Sequence, residues 1–281
     1  MPEPLRLPGE AGDFTEGEVF FVGNATTLIR FGGFTILTDP AFLHQGDHVH
    51  LGHGMYARRE QEPACQPGDL PELDFVVLSH HHGDHFDHVA ADQLPRDVPV
   101  VTTQHAVRLL AQQGFTGGRA LDTWESTSAV RGSAEVRVTA MPAKHDPDPV
   151  AGMLPPTMGS VLDFARDQQH VFRLYITGDT LLHDRLYDIP HRYPGIDLAL
   201  VHAGGTTLLG TVVTMTGEQA VRAVEIVDPR EAIPIHYNDF SVFQSDLDDV
   251  RRAADRSPVG TRFRYLRHGQ TYRFRTAHPA R

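Results

Sequence analysis

A layered α/β fold is predicted for this chain by three features of its sequence. Short apolar runs of strand length alternate with helix-period segments from Glu18 to Phe274. No Gly/Ser linker, tandem repeat or low-complexity stretch interrupts that alternation, so residues 1–281 are expected to form one unit. Histidines and aspartates repeatedly stand just after the last apolar residue of a strand, where open α/β sheets place their sites.

The elements follow in chain order. From Glu18 to Pro40, two β-rich runs flank Gly32-Gly33 and predict a hairpin, which Pro40 closes because proline cannot continue the ladder. Phe75–Leu78 is a strand leading into Ser79 and a histidine cluster, and Val98–Thr102 is a short buried strand. His105–Gln113 has a helical period and stops at Gly114. Glu135–Met141 alternates as a strand and runs on to His145. Ser160–Phe164 and Phe172–Thr177 form a further pair closed by Gly178-Asp179-Thr180. Leu198–Val201 is apolar and ends at His202. A Thr216-x-x-Gln219 capping box opens a helix whose inner face is Ala220, Val221, Val224 and Val227. Ala232–Ile235 is a strand ending at His236. Ser245 is the expected cap of a polar helix reaching Asp255, and Phe263–Phe274 is expected to close the chain as a hairpin around Gly269.

Composition narrows the function. With 36 acids against 25 bases the formal net charge is −11, which disfavours nucleic-acid binding through counterion release. No apolar run approaches the roughly 18–20 residues that span a bilayer. The N-terminus, MPEPLRLPGEAGDF, lacks the basic start and apolar core of a signal peptide, so a cytoplasmic location is expected. Cys65 is the single cysteine, so any metal must be held by nitrogen and oxygen. The chain holds 18 histidines, enough for chance pairs, so spacing has to carry the argument.

Ser79-His80-His81-His82-Gly83-Asp84-His85 is the most specific signal. A strand delivering the chain into a tight turn lets His80 and His82 converge on one ion, while Asp84 and His85, beyond Gly83, turn toward a second. His145, Asp179 and His236 each follow a short apolar strand. Together these residues supply seven ligands, enough for two divalent ions with Asp179 bridging and a hydroxide between them. Imidazole with carboxylate suits zinc, with manganese or iron also admitted.

With these residues in place the chain resembles the metallo-β-lactamase superfamily. More narrowly it resembles the branch of ascorbate-6-phosphate lactonase and N-acylphosphatidylethanolamine phospholipase D. The narrower likeness rests on Asn24–Arg30 (NATTLIR), Ile36–Pro40 (ILTDP), Ile176–Thr180 (ITGDT) and Ile233–His236 (IPIH), and extends from about Glu18 to Phe274. It implies a four-layer αββα sandwich with the site along one edge of the paired sheets. It also implies that His80, His82 and His145 bind one metal, that Asp84, His85 and His236 bind the other, that Asp179 bridges, and that Asp39 orients a ligand from behind. Members of the branch often have histidine where this chain has Asn24.

These features predict a hydrolase acting on a small molecule, an ester or lactone or an anionic phosphodiester. Asp84 and Asp179 would hold the nucleophile. His202, beside Gly204-Gly205, is expected to face the cleft without binding metal and to assist the leaving group, with His183 and Asp146 as weaker candidates. His44–Arg59 (HQGDHVHLGHGMYARR) reads as a mobile flap in which His44, His48, His50, His53, Arg58 or Arg59 meets an anionic group, or else as a solvated loop. His81 and His88 are expected to face solvent, as are Asp167, Asp184, Asp246, Asp248 and Asp249. Resemblance disfavours β-lactam hydrolysis because of Asp179. An iron redox protein of the same fold and a metal-stabilised binding protein without turnover are the alternative readings.

Overall fold

A computed structural model describes residues 3–52 and 54–276. Two seven-stranded sheets dominate it. The first runs Leu5–Arg6, Ser126–Arg131, Ala134–Met141, Gly159–Arg166, Gln169–Ile176, Leu198–His202, Glu231–Ile235 in spatial order. The second runs Thr271–Arg275, Glu16–Gly23, Thr26–Phe31, Phe34–Thr38, Phe75–Val77, Val100–Thr102, Gly118–Ala120. Strand alternation explains why the sheets stack. In Leu198–His202, Leu198 and Leu200 point into an apolar layer shared with Ile29, Ile36 and Phe75 of the other sheet. Ala199 and Val201 point the opposite way, against Ile189, Val221, Val224 and Val250 from helices. Val76 and Val100 of the second sheet likewise meet Ala90, Ala106 and Leu110 on its outer helices. The result is helix, sheet, sheet, helix, the four-layer sandwich that resemblance implied.

Local chemistry accounts for most of the elements. Gly217–Val227 begins at the capping box, where Thr216 Oγ1 accepts from the Gln219 N–H at 3.4 Å and Gln219 Oε1 accepts from the Thr216 N–H at 3.1 Å. Gln104–Gln112 is capped by Thr103. Leu247–Asp255 starts one residue later than expected: Asp246 is the cap, paired with Asp249, because a carboxylate satisfies the first N–H groups and favours the helix dipole. Ser245 instead accepts from the Gly217 N–H at 2.8 Å, tying two helices together.

Three expectations are corrected. The apolar run before Gly32 is two strands, split at Asn24, whose φ of 53° turns the chain. The Phe263–Phe274 segment is not a hairpin. Phe263 bridges Ala232 of the first sheet, whereas Thr271–Arg275 pairs with Glu16–Phe20 of the second, so the segment crosses between sheets. The His44–Arg59 segment is not irregular: His48–His50 and Tyr56–Arg58 form an antiparallel ribbon. Val49, Leu51 and Ala57 bury one side of it against Leu43 and Phe240. Period-two burial over only three residues per strand is too short a signal to read from sequence.

Candidate metal centre

Parallel pairing sets the site. Phe34–Thr38 and Phe75–Val77 run parallel, as do Gln169–Ile176, Leu198–His202 and Glu231–Ile235, so their C-terminal ends share one edge of the sandwich. Asp39, Ser79–His85, Asp179, His202 and His236 leave from those ends, and His145 follows Met141 at the same edge through two antiparallel pairings. Asn24, Asp39 and His236 adopt φ of 53°, 37° and 59°. Non-glycine residues held there cost on the order of 1–3 kcal/mol each, a strain that concentrates at functional sites.

The seven predicted ligands come together, and nearly all are buried. His80, His82 and His145 offer nitrogens within 4.8 Å of one another, and so do Asp84, His85 and His236 with their mixed donors. His80 Nε2 lies 2.9 Å from His82 Nδ1, and His85 Nε2 lies 3.1 Å from His236 Nε2. Asp179 reaches both groups: Oδ2 is 3.4 Å from His85 Nε2 and 3.8 Å from His145 Nε2, and Oδ1 is 3.5 Å from His236 Nδ1. His145 Nε2, Asp84 Oδ1 and Asp179 Oδ1 are buried without a hydrogen-bond partner. Such orphans cost about 1–3 kcal/mol each, so donors converging this way fit divalent cations. The donors are imidazole and carboxylate with no thiolate, a chemistry suited to zinc, manganese or iron.

Electrostatics agrees with that fit. Burial holds the imidazoles of His80, His82 and His145 below the ordinary value, His82 down to about 3, so their lone pairs are free at neutral pH. Burial pushes Asp84 and Asp179 up, but His85 and His236 beside them outweigh it, and both carboxyls stay ionised. Burial also pulls His85 down; Asp179 and Asp84 overcome it and raise His85 well above its usual value. An ion entering the site therefore competes with the proton that His85 favours, which makes loading favour higher pH.

Asp39, together with residues that sequence reasoning gave no such place, stands behind the candidate ligands. Asp39 Oδ1 accepts from the Ser79 N–H and Oγ–H, both at 2.8 Å, and lies 3.4 Å from His85 Nδ1. Ser79 Oγ is also 3.0 Å from His80 Nδ1. The His145 Nδ1–H donates to the Val213 carbonyl at 2.9 Å, which leaves Nε2 aimed at the site. Asn24, where members of the resembled branch often have histidine, donates from Nδ2 to the Asp84 backbone carbonyl at 2.6 Å, and its own backbone carbonyl accepts from the His236 N–H at 2.8 Å. Nothing in spacing reveals Val213 or Asn24, since both act through backbone groups far away in sequence.

His202 is placed differently from its expectation. It ends its strand on the inward side set by Leu198 and Leu200, is fully buried, and stacks on His85 with ring centroids 5.8 Å apart. Thr177 Oγ1 is 3.0 Å from its Nδ1, and it borders neither cavity described below. Gly204 serves packing too: a Cβ there would stand 2.6 Å from the His236 carbonyl oxygen. His202→Ala is therefore expected to lower kcat by about 10–100-fold, the range for groups that orient ligands. The loss should be equal for good and poor leaving groups. A loss confined to poor leaving groups would restore the proton-donor reading.

The proposed flap residues scatter. His44 pairs with Glu62 at 2.5 Å in solvent, and Arg58 pairs with Glu60 at 3.0 Å. His48 is exposed, and His53 lies outside the described residues. Arg59 is fully buried, 3.1 Å from Asp239 and over the Phe240 ring, because an arginine below the ribbon must find a carboxylate. Only His50 of the described set borders a cleft of about 580 Å³ outside the ligands, together with His81, His82 and His105. His81 is thus half-buried rather than solvent-facing, whereas His88 is exposed. His183 is half-buried beside Lys144 and Arg185, and Asp146 accepts from the Gly152 N–H at 3.3 Å. Among the charges expected on the surface, Asp249 is half-buried in its capping box; the other four are exposed.

A family model described as a beta-lactamase superfamily domain matches residues 35–237. The chain is 27% identical over 248 residues to a UPF0173 metal-dependent hydrolase of Archaeoglobus fulgidus, covering 85% of this chain and 98% of the relative. It is 28% identical over 244 residues to one of Thermus thermophilus, covering 86% and 94%. The crystal structure of an isothiocyanate hydrolase from Delia radicum gut bacteria has the same fold, with a TM-score of 0.79 at 18% identity over 92% of this chain and 100% of that one. Among the described residues, no helix is long and apolar enough to cross a membrane.

Proposed function

The chain belongs to the beta-lactamase superfamily, and from that membership we propose that it is a metal-dependent hydrolase holding two divalent ions. The observation that carries the reading is the convergence of buried, unpartnered imidazole and carboxylate atoms on two adjoining points. His80, His82 and His145 would hold one ion, Asp84, His85 and His236 the other, and Asp179 both. Zinc suits these donors first, with manganese or iron admitted by the same chemistry. Asn24–Arg30, Ile36–Pro40, Ile176–Thr180 and Ile233–His236 support a place beside the lactonase and phospholipase D branch.

When bound, such ions lower the pKa of water toward about 7 and polarise the oxygen of a scissile carbonyl or phosphoryl group. The chain's own residues do the rest. Ser79 and Asp39 hold His80 and His85 in orientation, and the Val213 carbonyl fixes the proton of His145 on Nδ1. Asp84 and Asp179 supply negative charge that retains the ions and orients the attacking water. Leu51, Leu154 and Val213 cover the inner space and limit bulk water. Ester, lactone and phosphodiester bonds all suit this chemistry.

Metal analysis of protein purified without added metal, followed by a hydrolysis screen with each metal supplied in turn, tests the proposal. Lactones, aryl esters and phosphodiesters belong in the screen, and isothiocyanates too, since a protein of this fold hydrolyses them. Zinc or manganese near two per chain, lost with activity on chelation and restored on reloading, is the expected result. Stoichiometric iron with a visible absorption band and no hydrolysis would overturn it in favour of redox chemistry.

A further inference from the structure

The covering of the metal centre is mainly hydrocarbon, with the buried hydroxyl of Thr206 among it. Immediately outside the ligands His82, Asp84, His145 and Asp179 is an inner space of about 20 Å³, room for about one water. Its roof comes from three separate segments. Leu51 and Met55 belong to the His48–Arg58 ribbon, Leu154 to the loop after His145, and Leu208 and Val213 to the turn around Thr207–Val212. Leu154, Leu208 and Val213 pack together, and Met55 touches both that group and the ribbon's own apolar cluster. The ribbon is seated directly on the ligand turn, since a Cβ on Gly83 would overlap the Val49 side chain.

Beyond this roof lies the 580 Å³ cleft, a size that suits a small-molecule ligand. Leu51, His82 and Leu154 border both spaces, so Leu51 and Leu154 form the constriction between them. Met153, Pro155 and Pro156 share the cleft's remaining wall with the imidazoles of His50, His81 and His105 and with glycines. Among the described residues, no lysine or arginine borders either space. The arginines once expected there are engaged elsewhere, Arg58 by Glu60 and Arg59 by Asp239. A phosphodiester would bring an anion under this roof, and any charge the ions did not meet would be desolvated against leucine and methionine.

We propose, building on the hydrolase reading, that the occupant is a neutral carbonyl compound, an ester or lactone with a short apolar arm. Its carbonyl carbon passes between Leu51 and Leu154 to the metal centre, its arm stays in the outer cleft, and phosphodiesters are poorer substrates than neutral esters. In the hydrolysis of such an ester the acyl C–O bond to the alkoxy group breaks, and a C–O bond to the water oxygen forms. One water proton ends on the departing alkoxide, and the other leaves with ionisation of the acid product. Leu51 and Leu154 are thereby specificity-determining residues that touch the substrate without doing chemistry.

Calorimetry with straight-chain amides from propanamide to hexanamide, on metal-free and zinc-loaded protein, reads the pocket without turnover. Affinity is expected to rise about fourfold per added methylene. Leu154→Ala should flatten that series, and Leu154→Lys should weaken amides while strengthening matched dialkyl phosphates; circular dichroism checks that each variant folds. On wild-type enzyme, kcat/KM for neutral aryl esters should exceed that for aryl phosphodiesters at least about 100-fold. Amide affinity independent of chain length in the wild type, or phosphodiesters turned over as well as esters, would overturn the proposal and leave the hydrolase reading intact. A chain-length series without hydrolysis of any ester, lactone, phosphodiester or isothiocyanate under any metal would support the pocket's preference and overturn the hydrolase reading instead.

Discussion

Asp179→Ala is expected to abolish measurable turnover, a fall on the order of 10³-fold or more, and to weaken loading at both metal positions. Replacing a group that merely orients a ligand costs about 10–100-fold, and a carboxylate proposed to meet both ions should cost more than that. The geometry explains why the effect should not stay at one ion: Asp179 Oδ2 faces His145 and His85, while Oδ1 faces His236. Thr214 Oγ1 donates to the same carboxylate at 3.3 Å and holds it across the gap. Metal content per chain, measured alongside kcat, checks the prediction. Loss of one ion with the other retained at full occupancy would confine Asp179 to a single position, and near wild-type kcat would remove it from the site altogether.

Arg59→Ala is expected to destabilise the fold by about 3–5 kcal/mol, the cost of leaving a buried charge without its partner. Asp239 has no exposure and depends on two cations, Arg59 at 3.1 Å and His268 at 3.2 Å. Burial pulls His268 down, but its hydrogen bond to Asp239 and the carboxylate's charge carry it above its ordinary value. A histidine raised in the folded state stabilises fully below its unfolded pKa of about 6.5, and that contribution is lost as pH rises through the folded value. In the variant His268 is the remaining cation, so the deficit should deepen as pH rises through that window. Arg58→Ala, which breaks only an exposed pair with Glu60, should cost at most about 1 kcal/mol. Chemical denaturation at pH 6 and pH 8 tests both. A kcat/KM loss at unchanged stability would instead return Arg59 to substrate binding.

The difference between these two residues reflects where information sits along the chain. Asp179 was legible because a turn after an apolar strand, Gly178-Asp179-Thr180, recurs in form with the turns at Asp39, His80 and His236. Each local signal is complete within about five residues. Arg59 was misread because its partner, Asp239, is remote in sequence, and a charged residue amid glycines and histidines looks solvated until its surroundings are known. The Phe263–Phe274 segment failed for the same reason: its apolar residues suit a strand, but pairing with two different sheets is a non-local choice.

Strand periodicity, the capping box at Thr216 and the order of the candidate ligand residues are properties of short stretches, and the chain's sequence is sufficient for them. Assembly was needed for everything that depends on which surfaces meet. Stacking of the sheets sets His202 behind His85 rather than in the cleft, because side chains alternate along Leu198–His202. Three segments distant in sequence form an apolar roof over the ligands, although one of them carried the histidines and arginines that suggested an anion. Hydrophobic burial is non-directional and acts on whichever side chains the fold brings into contact, so the character of that roof arises only once Leu154, Leu208 and Val213 pack together and Leu51 is brought to line the same space.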